Sequence, residues 1–359
     1  ISNSLYFHKL GTSSKKDKLI YKEEDNQFNL SISLSRTKKY LLLDISKTES
    51  NEMRYLDLED DSFSLKCFLK RKKKHLYYID DTPDNFFILS NRSSKINFAL
   101  YKTDLTKISE TYWKIVVDHK NKEIIENFVC FKDFIILETR KNGLSQLVQF
   151  NKINKKKTYI QFKDEAYNVS LSNNNNYYAN DFSFAFSSLK TPSSIFTQNL
   201  YTKKRKKKWS QKICNHKESN YKIQRIHITA RDGTKVPISL VYKKGINLKK
   251  APLLQYGYGS YGLVIDPSFK LTFMPLIDEG FIFAIAHVRG GQDLGRNWYD
   301  QGRLMNKMNT FYDFIDCTKC LLSKNIGNKN NIFAMGGSAG GLLMGAIINL
   351  EPSLYKGIL

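Results

Sequence analysis

The stretch NIFAMGGSAGGLLMGAIINL, residues 331–350, decides the fold of the second half of the chain. It opens with an apolar run typical of a buried strand and closes with residues of helical type, and Gly-Gly-Ser-Ala-Gly lies between them. A strand, a sharp glycine-rich turn and a helix together form a nucleophile elbow, which lifts a serine hydroxyl above the sheet. The pattern therefore predicts a nucleophile at Ser338, against the alternative of a glycine-serine turn that only packs the helix on its strand.

The segments before this stretch predict the rest of a sheet covered by helices. Residues 223–244 contain two alternating strands around an Asp-Gly pair, which is a hairpin signal. Residues 251–262 and 281–291 are apolar strands that lead into glycines, and residues 309–324 have helical spacing with an N-terminal Asn as cap candidate. Near-continuous apolar strands that alternate with helices indicate a mostly parallel α/β sheet.

The first 200 residues contain a repeat of strands. Apolar runs recur at intervals of 46 to 48 residues, and a second apolar run follows three of them. The anchors of the runs are Tyr40, Phe86, Phe134 and Phe182. A repeat of this length made only of strands predicts propeller blades, of which about four are visible. A closed four-bladed propeller and a larger propeller without its first blades are both open.

Charge and cysteine content bear on the partners of the protein. The net charge is +23, with basic runs at residues 71–74 and 203–208. Two explanations of this charge are open: a nucleic-acid partner, or the amino-acid composition that an A+T-rich coding sequence produces. No RNA-binding or helix-turn-helix pattern surrounds the runs, so we predict no nucleic-acid partner.

Cys317 and Cys320 have C-x-x-C spacing but no further ligands at metal-site spacing, so two cysteines on a core-facing helix are the simpler interpretation. No apolar run is long enough for a membrane helix.

A nucleophilic serine needs a histidine base and a carboxylate that orients the histidine. In enzymes with a nucleophile elbow these residues follow the serine in the order Asp, His. All six histidines precede Ser338, and Glu351 is the only carboxylate after it. We therefore expect that these 359 residues do not complete the triad, and that His287, inside an apolar strand, has a structural role.

Several ordered motifs carry a resemblance to a known family. They are YGYGSYG (256–262), HVRGGQDLG (287–295), KMNTFYDF (307–314) and GGSAGGLLMGAIIN (336–349). With them the chain resembles the prolyl oligopeptidase family of serine peptidases, most closely its oligopeptidase B branch. The resemblance implies a partial all-β propeller, formed by the later blades of a seven-bladed one, followed by a truncated α/β-hydrolase domain with a mostly parallel sheet. It implies a propeller at 1–205, a linker at 206–221 and the N-terminal part of the catalytic domain at 222–359.

The resemblance also implies roles for individual residues. Ser338 matches the nucleophile, and the Ala339 N–H and the Tyr258 hydroxyl match the two donors to the oxyanion. Tyr261 matches a position in the primary substrate pocket, and Asp266 matches one of two acidic residues that bind basic substrates.

The chain departs from the family pattern at three positions. Ser268 replaces the second acidic residue of the pair, Gln292 stands where glycine is usual, and Asp293 stands where glutamate is usual. These changes leave the expected fold intact and bear on substrate preference.

The function implied by the resemblance is that of a cytoplasmic serine oligopeptidase that cleaves short peptides after Arg or Lys, without a cofactor or metal and without membrane attachment. The propeller is expected to restrict access to short peptides. Two other readings are open: a catalytically inactive truncated gene product with only a propeller surface, and a basic propeller that acts as a binding module.

Overall fold

The computed structural model describes residues 3–60 and 62–359, and the chain divides into two compact units. Unit 1 comprises the described residues up to Asn121 together with Cys130–Asp133 and Asn174–Ala179. Unit 2 comprises Lys122–Val129, Phe134–Asn173 and Asn180–Leu359.

Sequential antiparallel strands build unit 1, whose described residues form one two-stranded ribbon and two four-stranded sheets. The ribbon consists of β1 Ser4–Phe7 and β2 Lys18–Lys22. The first sheet consists of β3 Asn29–Leu34, β4 Tyr40–Lys47, β5 Ser50–Asp57 and β6 Lys66–Leu69. The second sheet consists of β7 Tyr77–Asp81, β8 Asn85–Ser90, β9 Ala99–Asp104 and β10 Lys114–Val117.

Two further four-stranded sheets of the same kind lie in unit 2. Only Cys130, the last residue of one of their strands, is assigned to unit 1. The first consists of β11 Glu123–Cys130, β12 Phe134–Lys141, β13 Leu144–Asn151 and β14 Lys157–Tyr159. The second consists of β15 Tyr167–Leu171, β16 Asp181–Ser188, β17 Ser194–Asn199 and β18 Arg205–Ser210.

The predicted repeat is confirmed by these blade-type sheets. Each aromatic anchor is the first or second residue of the second strand of its sheet, and each is buried. In unit 1, Tyr40 and Phe86 pack together with ring centroids 5.2 Å apart in one core cluster. Successive side chains of a strand point to opposite faces of its sheet, and the aromatic ring at this position points into the core. The repeat in sequence therefore reflects a repeat in packing.

The linker predicted at 206–221 begins inside a strand. β18 pairs antiparallel with β17 and is the outer strand of its sheet. Its sequence RKKKWS lacks the apolar alternation of a strand because Arg205 to Trp209 are all exposed. Charged residues on an outer strand discourage pairing with other chains, and this explains why a true strand has the composition of a linker.

The remaining part of unit 2 is an α/β structure around one mixed sheet. The described strands have the spatial order β19-β20-β22-β21-β23-β24, with antiparallel pairing from β19 to β22 and parallel pairing from β22 to β24. The strands are β19 Tyr221–Thr229, β20 Lys235–Lys243, β21 Leu253–Tyr256, β22 Ile282–Ala286, β23 Ile332–Met335 and β24 Gly357–Ile358. The helices are α1 Met274–Asp278, α2 Arg296–Asp300, α3 Met308–Ser323 and α4 Ala339–Leu350. The prediction of an α/β domain with a mostly parallel sheet is confirmed.

Short 3₁₀ turns connect several of these elements. They lie at Ser14–Lys16, Glu110–Tyr112, Glu218–Asn220, Leu271–Phe273 and Leu304–Asn306. Across residues 3–60 and 62–359, no helix combines the length and the apolar character that crossing a membrane requires.

Helix α3 confirms one prediction and corrects another. The predicted helix exists, but Asn309 is not its cap, because the helix already begins at Met308 after Lys307. The Asn309 side chain instead donates a hydrogen bond to the carbonyl of Gln301. Cys317 is fully buried and Cys320 half-buried on this helix, both as free thiols, which is the arrangement of a core-facing helix.

Candidate active site

The turn between β23 and α4 has the geometry of a nucleophile elbow. Ser338 is the N-cap of α4 with φ 54° and ψ −121°, and its side chain is exposed. A positive φ is uncommon for a residue with a side chain and stores strain, which is a recurring property of functional positions. A Cβ at Gly336 would lie 2.7 Å from the carbonyl oxygen of Gly340, so only glycine allows the turn to close this tightly.

The topology of the sheet brings Tyr258 to the elbow. The chain passes from β21 to β22 on one side and returns to β23 on the other, so the carboxyl ends of β21 and β23 lie side by side. Ligand sites in such sheets lie where the strand order reverses. A Cβ at Gly340 would lie 3.5 Å from Cδ2 of Tyr258, which places the tyrosine ring against the first turn of α4.

Two groups at this edge are available as hydrogen-bond donors. The N–H of Ala339, the first residue of α4, has no acceptor within its own helix. The Tyr258 hydroxyl makes no hydrogen bond to any residue that the structure describes, and the side chain is half-buried. Free donors beside a helix N-terminus suit a negative charge that develops on a substrate oxygen.

Tyr261 lies in the same loop as Tyr258 and is strongly exposed. Its backbone is left-handed with φ 57°, and 66% of the residue surface is accessible. The loop turns back at this point, since the amide of Leu263 donates to the carbonyl of Ser260 and the amide of Gly262 donates to that of Gly290. The phenol ring is therefore presented to solvent at the edge of the sheet where Ser338 lies.

Asp266 is not a free carboxylate. The guanidinium of Arg140 on β12 donates to both of its oxygens, at 2.7 and 3.2 Å, and donates likewise to both oxygens of Glu126 on β11. Arg140 is almost fully buried, so this bidentate pairing is charge-assisted and strong. A substrate cation that bound Asp266 would have to share the carboxylate with Arg140.

A cavity of about 310 Å³ opens beside the elbow strand. Its lining includes Tyr256 and Met335, the last residues of β21 and β23, and also Asp266 and Ser268. Most of the other lining residues are apolar, and Lys270 adds a cation to the same lining. Ser268 is neutral, so the acidic charge of the lining comes from Asp266, which is paired with Arg140.

The expected structural role of His287 is confirmed. Its Nδ1 lies 2.8 Å from a carboxylate oxygen of Asp293, and its Nε2 lies 2.8 Å from the hydroxyl of Ser239. Burial lowers the pKa of His287, so the imidazole is neutral near pH 7. Asp293 orients this buried ring.

The hydroxyl of Ser338 has no hydrogen-bond partner in the described part of the chain. This agrees with the absence of any histidine after Ser338 in the sequence. In residues 3–60 and 62–359, no three His, Cys, Asp or Glu side chains are grouped so that they could hold a metal ion. The chain therefore presents a strained, exposed serine and two free hydrogen-bond donors, without a base that could activate the serine.

Sequence reasoning missed Arg140 and Lys307 among the residues around this edge. Lys307 contacts the loop that carries Tyr258, and Arg140 holds Asp266. Arg140 lies 126 residues before its partner and has no local signal. Lys307 is the first residue of the motif KMNTFYDF and directly precedes a predicted helix. This position was the signal in the sequence that could have identified it.

Two family models match the chain. Residues 2–211 match the model described as prolyl oligopeptidase, N-terminal beta-propeller domain, and residues 267–359 match the prolyl oligopeptidase family model.

Curated relatives match over almost the whole chain. Dipeptidyl aminopeptidase BI of Pseudoxanthomonas mexicana is 37% identical over 100% of this chain and 50% of its own length. Protease 2 of Moraxella lacunata is 33% identical over 98% of this chain and 51% of its own length. The chain thus spans about half the length of the curated relatives it matches.

Solved structures show the same likeness. Oligopeptidase B from Trypanosoma brucei, in a closed form with covalently bound antipain, superposes with a TM-score of 0.91 at 31% identity, over 99% of this chain and 52% of that one. Oligopeptidase B from Leishmania major superposes with a TM-score of 0.93 at 29% identity, over the same shares of the two chains.

Proposed function

Because the chain belongs to the prolyl oligopeptidase family, we propose that the full-length protein is a serine oligopeptidase of the oligopeptidase B type. It hydrolyses peptide bonds in short peptides through an acyl-enzyme on Ser338. The observation that carries this proposal is the strained, exposed serine at the N-terminus of α4, with the ring of Tyr258 against the same turn.

In the proposed reaction the Ser338 hydroxyl oxygen attacks the scissile carbonyl carbon. The Ala339 N–H and the Tyr258 hydroxyl donate hydrogen bonds to the oxyanion that forms, and the N-terminus of α4 adds a favourable dipole. A histidine base takes the proton of the Ser338 hydroxyl and passes it to the nitrogen of the leaving amine. This base and the acid that orients it come from parts of the full-length protein other than these 359 residues. Collapse of the intermediate releases the amine product, and water then hydrolyses the ester on Ser338.

We propose a preference for Arg or Lys before the scissile bond, as the likeness to oligopeptidase B suggests. Asp266 alone is a weak basis for it, because Arg140 occupies both carboxylate oxygens and Ser268 adds no charge. Acidic groups elsewhere in the full-length protein are therefore required. Tyr261 contributes an exposed ring to the substrate pocket.

The domain organisation is part of the same proposal. The blade-type sheets form a propeller domain at 1–205 that limits substrates to short peptides, and residues from 222 onward form the catalytic domain. The enzyme is cytoplasmic and needs no cofactor. The strand character of β18 suggests that the propeller domain extends to Ser210.

A serine-reactive fluorophosphonate probe tests the nucleophile in the full-length protein. Labelling requires an activated serine, so the wild type should label and Ser338→Ala should not. Ser323→Ala is the matched control, since Ser323 lies exposed at the end of α3, and it should label like the wild type. A panel of short peptides with Arg, Lys or neutral residues before the scissile bond then tests preference. An unlabelled, well-folded wild type would support the inactive gene product instead.

A further inference from the structure

Lys307 holds the loop that carries Tyr258. Its ammonium donates hydrogen bonds to the carbonyl oxygen of Gly259, at 2.5 Å, and to the hydroxyl of Ser260, at 2.8 Å. Both acceptors come immediately after Tyr258 in the chain. The side chain thus reaches from the start of α3 to the backbone next to the proposed oxyanion donor.

The loop has little freedom on the other side of this contact. Gly259 has φ +66°, and a Cβ there would collide with the side-chain methyl of Thr310, one helical turn after Lys307. The Thr310 hydroxyl in turn donates to the carbonyl of Arg289. The first turn of α3 therefore supports Gly259 by packing and by a charged hydrogen bond, which fixes the peptide that follows Tyr258.

The charge of Lys307 has no carboxylate partner among residues 3–60 and 62–359. The ammonium is half-buried, and its polar contacts are to neutral oxygens of the loop. Partial burial without a counter-ion lowers the pKa of Lys307 to about 8. A partly buried ammonium without an ion pair costs free energy, which the two hydrogen bonds to the loop offset in part.

We propose that Lys307 is a positioning residue for the oxyanion site, which sets the place of the Tyr258 hydroxyl opposite the Ala339 N–H. The inference rests on the proposed function, because the position of Tyr258 matters to catalysis only if its hydroxyl donates to the oxyanion. Oxyanion donors act only when they are held in place before the charge develops. Lys307 acts on the donor through the backbone and side chain of the two residues that follow it.

Four variants of the full-length protein test the proposal: Lys307→Met, Lys307→Arg, Tyr258→Phe and the double variant Lys307→Met/Tyr258→Phe. Loss of one oxyanion donor should lower kcat about 100-fold in Tyr258→Phe. Lys307→Met should lower kcat roughly tenfold with KM changed less than about twofold, because a transition-state contact is misplaced. Lys307→Arg should restore most of kcat, since a guanidinium can donate to the same two oxygens.

The double variant separates positioning from general support of the fold. If Lys307 acts through Tyr258, the double variant should have the kcat of Tyr258→Phe alone, because coupled residues do not add. Additive losses, a change confined to KM, or an unchanged kcat in Lys307→Met would overturn the proposal.

Hydrogen exchange of the loop amides provides a readout that needs no activity. Exchange at residues 258–262 should rise in Lys307→Met and stay at the wild-type level in Lys307→Arg and in the control Ser323→Ala. Unchanged exchange in Lys307→Met overturns the positioning role. A wild type that does not hydrolyse peptides overturns the proposed function instead, and the exchange result then decides separately whether Lys307 holds the loop.

Discussion

At the scale of single residues, the elbow depends on the absence of a side chain at Gly336. A Cβ there would meet backbone atoms on two sides, the carbonyl oxygens of Gly340 at 2.7 Å and of Gly257 at 3.0 Å. Backbone cannot move aside as a flexible side chain can. The position therefore links the elbow to the loop of Tyr258 through close contact.

We expect Gly336→Ala to destabilise the protein by about 1–3 kcal/mol through overpacking. Gly345→Ala is the matched control, because Gly345 lies inside α4 and a Cβ there meets nothing within 4 Å. Alanine in a helix interior should stabilise by about 0.5–1 kcal/mol relative to glycine. Urea unfolding of both variants measures the two changes, and equal midpoints would contradict the packing argument.

The same residues show what the sequence could and could not predict. Ser338, its strand and its helix are contiguous, so local pattern was sufficient to predict the elbow. The pairing of Asp266 with Arg140 joins residues 126 apart, and the contact of Lys307 with Gly259 joins residues 48 apart. Such contacts depend on tertiary packing, which a local sequence pattern does not predict.

At the scale of elements, Glu138 connects two blade-type sheets within unit 2. It lies on β12, and its carboxylate accepts a hydrogen bond from the amide of Leu171 on β15 at 3.0 Å. Burial is the main cause that raises the pKa of Glu138 from its ordinary value of 4.5 to about 7, and the nearby carboxylate of Glu126 adds to it. The folded protein thus keeps a proton on Glu138 that the unfolded chain has already lost.

This difference sets the sign of a pH dependence. Between pH 4.5 and 7 the folded state binds more protons than the unfolded state, so the contribution of Glu138 to stability falls as pH rises through this window. In Glu138→Gln, whose amide oxygen can still accept from Leu171, this fall should disappear. Unfolding by urea at pH 5 and pH 8 measures it, with Glu279→Gln as the control for loss of an exposed carboxylate. An equal change of stability with pH in wild type and Glu138→Gln would refute the expectation.

Strand β18 shows why one element escaped prediction. Sequence patterns identify strands by an apolar face, and an outer strand with exposed Lys and Arg side chains has none. β18 pairs with β17 through backbone N–H and C=O groups, which do not depend on the identity of the side chains. The pairing therefore leaves no pattern in the sequence. The aromatic anchors, by contrast, were visible because each fills a core.

At the scale of the whole molecule, the charge of +23 is the most conspicuous property. An excess of basic residues attracts polyanions at low salt, whether or not a binding site exists. Weak, nonspecific attraction of this kind is screened by salt, while a built nucleic-acid site keeps measurable affinity at physiological ionic strength.

We expect any binding of a short DNA duplex at 20 mM salt to weaken by about 100-fold or more at 150 mM salt, since only released counter-ions drive it. Heparin should compete as well as DNA does. Fluorescence anisotropy of a labelled duplex provides the measurement. Saturable binding at 150 mM salt with preference over heparin would show that the basic runs form a nucleic-acid site.

The buried contacts of His287 have a consequence for the identification of active sites from side-chain geometry. Ser239, His287 and Asp293 reproduce the relay of serine, imidazole and carboxylate at 2.8 Å per link, yet all three are buried and no substrate can reach them. A template search on hydrogen-bond geometry alone would select Ser239 as the nucleophile of this chain and pass over Ser338. Access to solvent and a free hydrogen-bond donor nearby, more than the relay itself, distinguish the candidate nucleophile Ser338 from the buried Ser239.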